Sequence, residues 1–191
     1  GKGGLLIADE TPRDITAGAL APDPLKGVAV STLMDSAFEI NVPANTVSVR
    51  DIPWPEGAIA VAAHVNPMND EGQSWGVGLA VGWGGGRHVQ INARTDGRWG
   101  TRRNGAEGLV GSCTKGMPAT VAVRLGDKSV QLFAMQDGGE WELLEEFPRT
   151  GYAGKPETIR IGKIGMTWAP NDFGDKGSTK PCRVDWVKTG R

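Results

Sequence analysis

The chain is expected to be an all-β protein, a sandwich or barrel of antiparallel strands, on three observations. Strand-like runs alternate with turn signals at short intervals from residue 37 to residue 188. Glycine and proline, 29 and 12 of the 191 residues, interrupt the chain too often for long helices. The run at 75–83, WGVGLAVGW, puts large residues at every odd position and small ones at every even position. Side chains alternate across a strand, so that run has one apolar wall and one nearly bare face.

In chain order, Leu5-Leu6-Ile7-Ala8 reads as a short first strand. Residues 9–27, with Pro12, Gly18, Pro22, Pro24 and Gly27, read as irregular. Strands are expected at 37–42, 46–52, 57–65, 75–83, 87–94, 98–103, 119–125, 129–135, 140–146, 158–166 and 182–188. Gly84-Gly85-Gly86, Gly126-Asp127-Lys128 and Asp137-Gly138-Gly139 supply turns between consecutive strands. No repeat, low-complexity stretch or linker divides the chain, so one domain is expected over 1–191.

Composition narrows the class. The glycines follow no three-residue period, which excludes collagen, and no apolar run has the length of a membrane span. Seven tryptophans and 39% hydrophobic residues in patterned runs argue for a packed core rather than disorder. A net charge of -1 disfavours a general polyanion surface, and nucleic acid is not expected as a partner. The start Gly1-Lys2-Gly3-Gly4 suggests a trimmed chain whose export signal lies outside it. Cys113 and Cys182 are either two buried thiols or a bridge worth about 4 kcal/mol.

Three runs share one division of faces. In 75–83, Trp75, Val77, Leu79, Val81 and Trp83 should enter the core, leaving Gly76, Gly78, Ala80 and Gly82 outside. In 57–65, Ile59, Val61, Ala63 and Val65 oppose Ala58, Ala60, Ala62 and His64. In 87–94, Val89, Ile91 and Ala93 oppose His88, Gln90, Asn92 and Arg94. If the three runs are neighbours, their outer face is a shallow Gly/Ala trough with polar walls. Bare glycine weakens a strand, so that face is expected either to be packed upon or to bind something.

The order of features beyond this point is that of a known superfamily. TVAVRLGDKSVQLFAMQDGGEWELL at 120–144 precedes IRIGKIGM at 159–166 and a closing CRVDWVK at 182–188. With the Asp137 to Trp141 hairpin, this resembles the concanavalin A-like lectin/glucanase jelly roll, in its laminin-G-like and bacterial sugar-associated branches, over about residues 57–188. The resemblance implies a two-sheet antiparallel jelly-roll sandwich, a carbohydrate partner and a secreted, periplasmic or cell-surface location. Hydrolytic members carry a Glu-x-Asp-x-x-Glu strand, which this sequence lacks.

The candidate ligand-binding set is His88, Gln90, Asn92, Arg94, Arg98 and Trp99. Residues 87–103 hold five arginines against one aspartate, with Trp99 among them. Indole faces stack on sugar rings, while arginine forks suit uronate or sulfate groups. The alternative is that the arginines pair with acids on adjacent strands and Trp99 is core. Trp54 and Trp168, in proline-flanked loops, are further candidate platforms, and Trp141 and Trp186 are expected in the core.

An exported, non-catalytic glycan-binding or glycan-associated module, with a leaning to acidic glycans, is the leading expectation. The alternatives are a glycoside-processing enzyme using Glu142 or His88, and a laminin-G-like structural or protein-interaction module. Glu140 and Glu142 read as a solvated strand edge, and His64 and His88 as hydrogen-bonded side chains that could share one outer face. No cofactor is expected. The loops Asn69-Asp70-Glu71-Gly72 and 171–175 offer oxygen ligands for a structural calcium ion, but such residues are also ordinary turn formers.

Overall fold

The computed structural model describes residues 19–70, 76–104, 106–165, 167–169 and 179–191. The strands are β1 (Ala19–Leu20), β2 (Val30–Met34), β3 (Phe38–Pro43), β4 (Ser48–Pro53), β5 (Ala60–Asn66), β6 (Gly76–Gly84) and β7 (Arg87–Arg94). They continue as β8 (Arg98–Arg103), β9 (Ala106–Ser112), β10 (Ala119–Leu125), β11 (Ser129–Gln136), β12 (Glu142–Pro148), β13 (Thr158–Ile164) and β14 (Thr179–Gly190). One 3-10 turn, Arg149–Tyr152, follows β12.

Two antiparallel sheets form a sandwich of jelly-roll type. The eight-stranded sheet runs β1-β12-β11-β10-β5-β14-β2, with β3 also on β14. The six-stranded sheet runs β4-β13-β6-β7-β8-β9. Alternation selects the core: Val77, Leu79, Val81 and Trp83 of β6 and Val89, Ile91 and Ala93 of β7 meet Val61, Ala63 and Val65 of β5 and Val121 and Val123 of β10. The turn glycines Gly84, Gly85 and Gly86 all have positive φ, which lets three residues reverse β6 into β7.

Three expectations need correction. The run 57–65 is not a neighbour of 75–83: β5 pairs with β10 and β14, across the sandwich from β6. His64 and His88 therefore lie on opposite outer faces. Strands β1, β2 and β9 were not foreseen. The two residues of β1 fall within 9–27, read as irregular; β2 runs VSTLM and is mostly exposed; β9, AEGLVGS, carries two glycines and no alternating apolar face. Leu5–Ala8 falls outside the described residues.

The thiols are free, Cys182 in the core and Cys113 half-buried, and burial pushes them up to about 12 and about 11. One charged pair also sits inside. Lys163 points to the core side of β13 and donates to Asp70 Oδ1 at 2.5 Å, with both side chains 0% exposed. That salt bridge ties the segment after β5 to the opposite sheet.

Candidate functional site

The site is built on the outer face of the six-stranded sheet. Register places Gly76 opposite Arg94, Gly78 opposite Asn92, Ala80 opposite Gln90 and Gly82 opposite His88. On the far side of β7, Asn92 faces Gly100 and Gln90 faces Arg102. On the other flank of β6, Arg160 of β13 faces Ala80. A polar row thus runs along β7 between glycine-lined strands, as alternation implied.

The glycines have a structural cause. A Cβ on Gly78 would lie 2.7 Å from Asn92 Cα and closer still to the carbonyl oxygen of Ile91. A Cβ on Gly76 would strike the Ala93 carbonyl, and one on Gly100 would strike the Asn92 side chain. Backbone of β7 therefore comes so close at Gly76 and Gly78 that only glycine fits there.

The trough is covered, not open. Trp168 lies on it: a Cβ on Gly82 would sit 2.6 Å from Trp168 Cη2. The Arg160 guanidinium stacks on the indole at 4.0 Å from the ring centroid and donates to the Trp168 carbonyl oxygen. The His88 ring meets the indole at 5.5 Å, and Gln90 Nε2 donates to the Gly165 carbonyl oxygen at 2.9 Å. In this row His88 and Asn92 are each only 2% exposed, and Gln90, Arg94 and Arg102 are buried.

Two acceptors in the row lack donors. His88 Nδ1 is 2.8 Å from the Gly86 carbonyl oxygen, so the proton sits on Nδ1 and Nε2 carries a lone pair. That Nε2 is buried with no hydrogen-bond partner, and so is Asn92 Oδ1. Burial holds the His88 imidazole below its usual range, with the Arg160 and Arg102 charges acting the same way against the Gly86 bond, so it stays neutral. Buried polar groups without partners are uncommon in native folds and mark a place where stability is not optimised.

Not every expected residue joins this row. Trp99 is in the core at 1% exposure, opposite Ala93 on the inner side of the sheet. Arg98 and Arg94 share one partner, Asp96, at 2.6 Å and 3.0 Å. Burial alone would raise the Asp96 carboxyl, but Arg98 and Arg94 outweigh it and hold it low. Arg160 grips Asp51 with two bonds, 2.7 Å and 3.0 Å. Arg160 was not singled out from the sequence, although its register beside the β6 glycines follows once β13 and β6 are paired.

The other candidates are dispersed. His64, on the outer face of the eight-stranded sheet, bridges Asp185 at 2.6 Å and Asp137 at 2.9 Å and stacks on Trp186. Trp141 and Trp186 pack with the small cluster Ala62, Ala122 and Phe133 on that same outer face, not in the main core expected for them. Trp54 is buried in the main core. Among the described residues no group of three His, Cys, Asp or Glu could hold a metal ion. Asp70 is held by Lys163, and Glu71, Gly72 and 171–175 lie outside the described residues.

No family model matches the chain, and no curated protein does. Solved structures share its fold. A Crh5 transglycosylase in complex with NAG is 12% identical with a TM-score of 0.53, over 93% of this chain and 87% of that one. A functionally unknown protein from Saccharomyces cerevisiae is 14% identical with a TM-score of 0.52, over 87% and 98%. The GH43 BlXynB protein from Bacillus licheniformis is 11% identical with a TM-score of 0.52, over 81% of this chain and 33% of its own. This chain spans about a third or less of the GH43 structures it matches. At these identities the likeness shows a shared all-β sandwich. No helix is long and apolar enough to cross a membrane among the described residues.

Proposed function

We propose that this chain is a non-catalytic glycan-binding sandwich of the concanavalin A-like type, acting outside the cytoplasm. Its ligand would be an oligosaccharide lying along β7 on the outer face of the six-stranded sheet. One observation carries this reading: the buried His88 and Asn92 acceptors, both without donors, over a floor of glycine. Sugar hydroxyls are donors of the kind those atoms lack. Four residues of strand separate the two Cα atoms by about 13 Å, a span of several linked sugars rather than one.

Three cations beside the row, Arg94, Arg98 and Arg160, share two carboxylates, Asp96 and Asp51, so the charge of the row does not by itself favour neutral over acidic glycans. Structures of a NAG-bound transglycosylase and of a GH43 protein with the same sandwich lend support. An enzymatic reading has less to draw on, because Glu142 and His88 lie in different sheets. For a protein-interaction module the exposed large apolar residues are scattered, with Leu20 and Val30 near opposite edges of the eight-stranded sheet.

The test is calorimetric titration with cellohexaose, xylohexaose, chitohexaose and oligogalacturonate. Binding in the micromolar to millimolar range by a neutral hexasaccharide, lost in Asn92→Ala, supports the reading. No binding by any of the four overturns it, and preference for oligogalacturonate moves it to acidic glycans.

A further inference from the structure

The cover over the outer face of β6 has the form of a bound ring. Trp168 rests on Gly82, whose missing Cβ is filled by that side chain, whereas Gly76 and Gly78 meet neighbouring backbone. Its indole stacks on the Arg160 guanidinium at 4.0 Å and abuts the His88 imidazole at 5.5 Å. A flat ring between a planar cation and an imidazole, above bare backbone, is how a ligand ring would be held. Yet the indole leaves His88 Nε2 without a donor.

Resting on the glycan-binding reading above, we propose that Trp168 is a self-ligand: its indole occupies a sugar-ring subsite, and a glycan competes with it for Gly82, Arg160 and His88. A sugar ring presents C–H faces to the same neighbours. It also brings a hydroxyl hydrogen to His88 Nε2, a bond the indole does not make. The incoming ligand therefore gains an interaction that the resident ring lacks, and this difference is what permits exchange. While the indole is in place the subsite is closed, so the native affinity is the intrinsic one reduced by the fraction of molecules with Trp168 displaced.

Two variants test this from opposite sides. Trp168→Ala removes the resident ring. Gly82→Ala keeps the ring but adds a Cβ 2.6 Å from Trp168 Cη2, at a residue without positive φ, and so obstructs the place that indole and sugar would share. Each is titrated, beside the native chain, with cellohexaose, xylohexaose and chitohexaose, and His88 is followed by its imidazole ¹⁵N shifts.

The expected result is affinity for one of these glycans raised about tenfold in Trp168→Ala, the scale of a 1.4 kcal/mol closing preference, and not raised in Gly82→Ala. With it, the His88 Nε2 resonance should move on saturation as a donor arrives. Unchanged affinity in Trp168→Ala overturns the proposal, and so does an equal gain in Gly82→Ala, because the added Cβ would then not stand in a sugar's place. Weaker binding in Trp168→Ala also overturns it and makes Trp168 a stacking platform, leaving the glycan-binding reading intact. Absence of binding in the native chain and both variants defeats the glycan-binding reading itself, and the self-ligand with it.

Discussion

The two outer faces of the sandwich are both covered, but in different chemistry. On the eight-stranded sheet, Ala62, Ala122 and Phe133 form an apolar floor that Ala21, Leu25, Trp141, Leu143 and Trp186 pack upon. Its polar groups are met: Arg124 donates to the Pro24 carbonyl oxygen at 2.7 Å, Gln131 to Glu146 at 2.6 Å, and His64 lies between two carboxylates. On the six-stranded sheet the floor is glycine, the row above it is polar, and His88 Nε2 and Asn92 Oδ1 go unmet. The first face is closed in the manner of a core. The second retains two acceptors without donors, a lack that the core shares at Trp54 Nε1 and Trp99 Nε1.

The largest effect should come from filling the glycine floor. Gly78→Ala puts a Cβ into the backbone of β7, so a loss of about 3 kcal/mol or failure to fold is expected in urea unfolding. A mild effect there would mean that the close approach of β7 does not require glycine. Next is the apolar face, where Phe133→Ala should cost about 3 kcal/mol through the cavity it leaves, while glycan titration stays unchanged. A parallel loss of binding would show that the two faces are coupled.

Asn92→Ala should cost less than about 1 kcal/mol, since Oδ1 forfeits no hydrogen bond, yet should abolish glycan binding. A large destabilisation would instead make Asn92 a structural residue. The smallest effect concerns pH. His88, buried and neutral, has its folded-state proton affinity lowered, so its stabilising contribution is present above about pH 6.5 and declines as the pH falls below it. Glu145, buried against the Thr101 hydroxyl and raised by that burial, has the opposite sign: its contribution is full below about 4.5 and is lost as pH rises through the folded-state value. His88→Gln should flatten the acid limb of a melting-temperature profile and Glu145→Gln the neutral one. Limbs unaltered by these changes would assign the pH dependence elsewhere.

Much of this was legible locally. The alternation in WGVGLAVGW and in 87–94 identified β6, β7, their core faces and the His88, Gln90, Asn92 and Arg94 row, because strand periodicity is a property of adjacent residues. Turn glycines located the hairpins for the same reason. The edge strands β2 and β9 were not legible, since an edge strand is held by its partner rather than by its own apolar pattern.

The sequence by itself determined the strands, the bare face of β6 and the polar row of β7. It could not assign 57–65 to the opposite sheet, because that pairing joins β5 to β10 and to β14, more than a hundred residues away in the latter case. Nor could it turn Trp99 inward while carrying Trp168 onto Gly82. Those decisions belong to the tertiary structure, where long-range pairing sets which side of each strand meets the core and which loop residue comes to lie on the side left over.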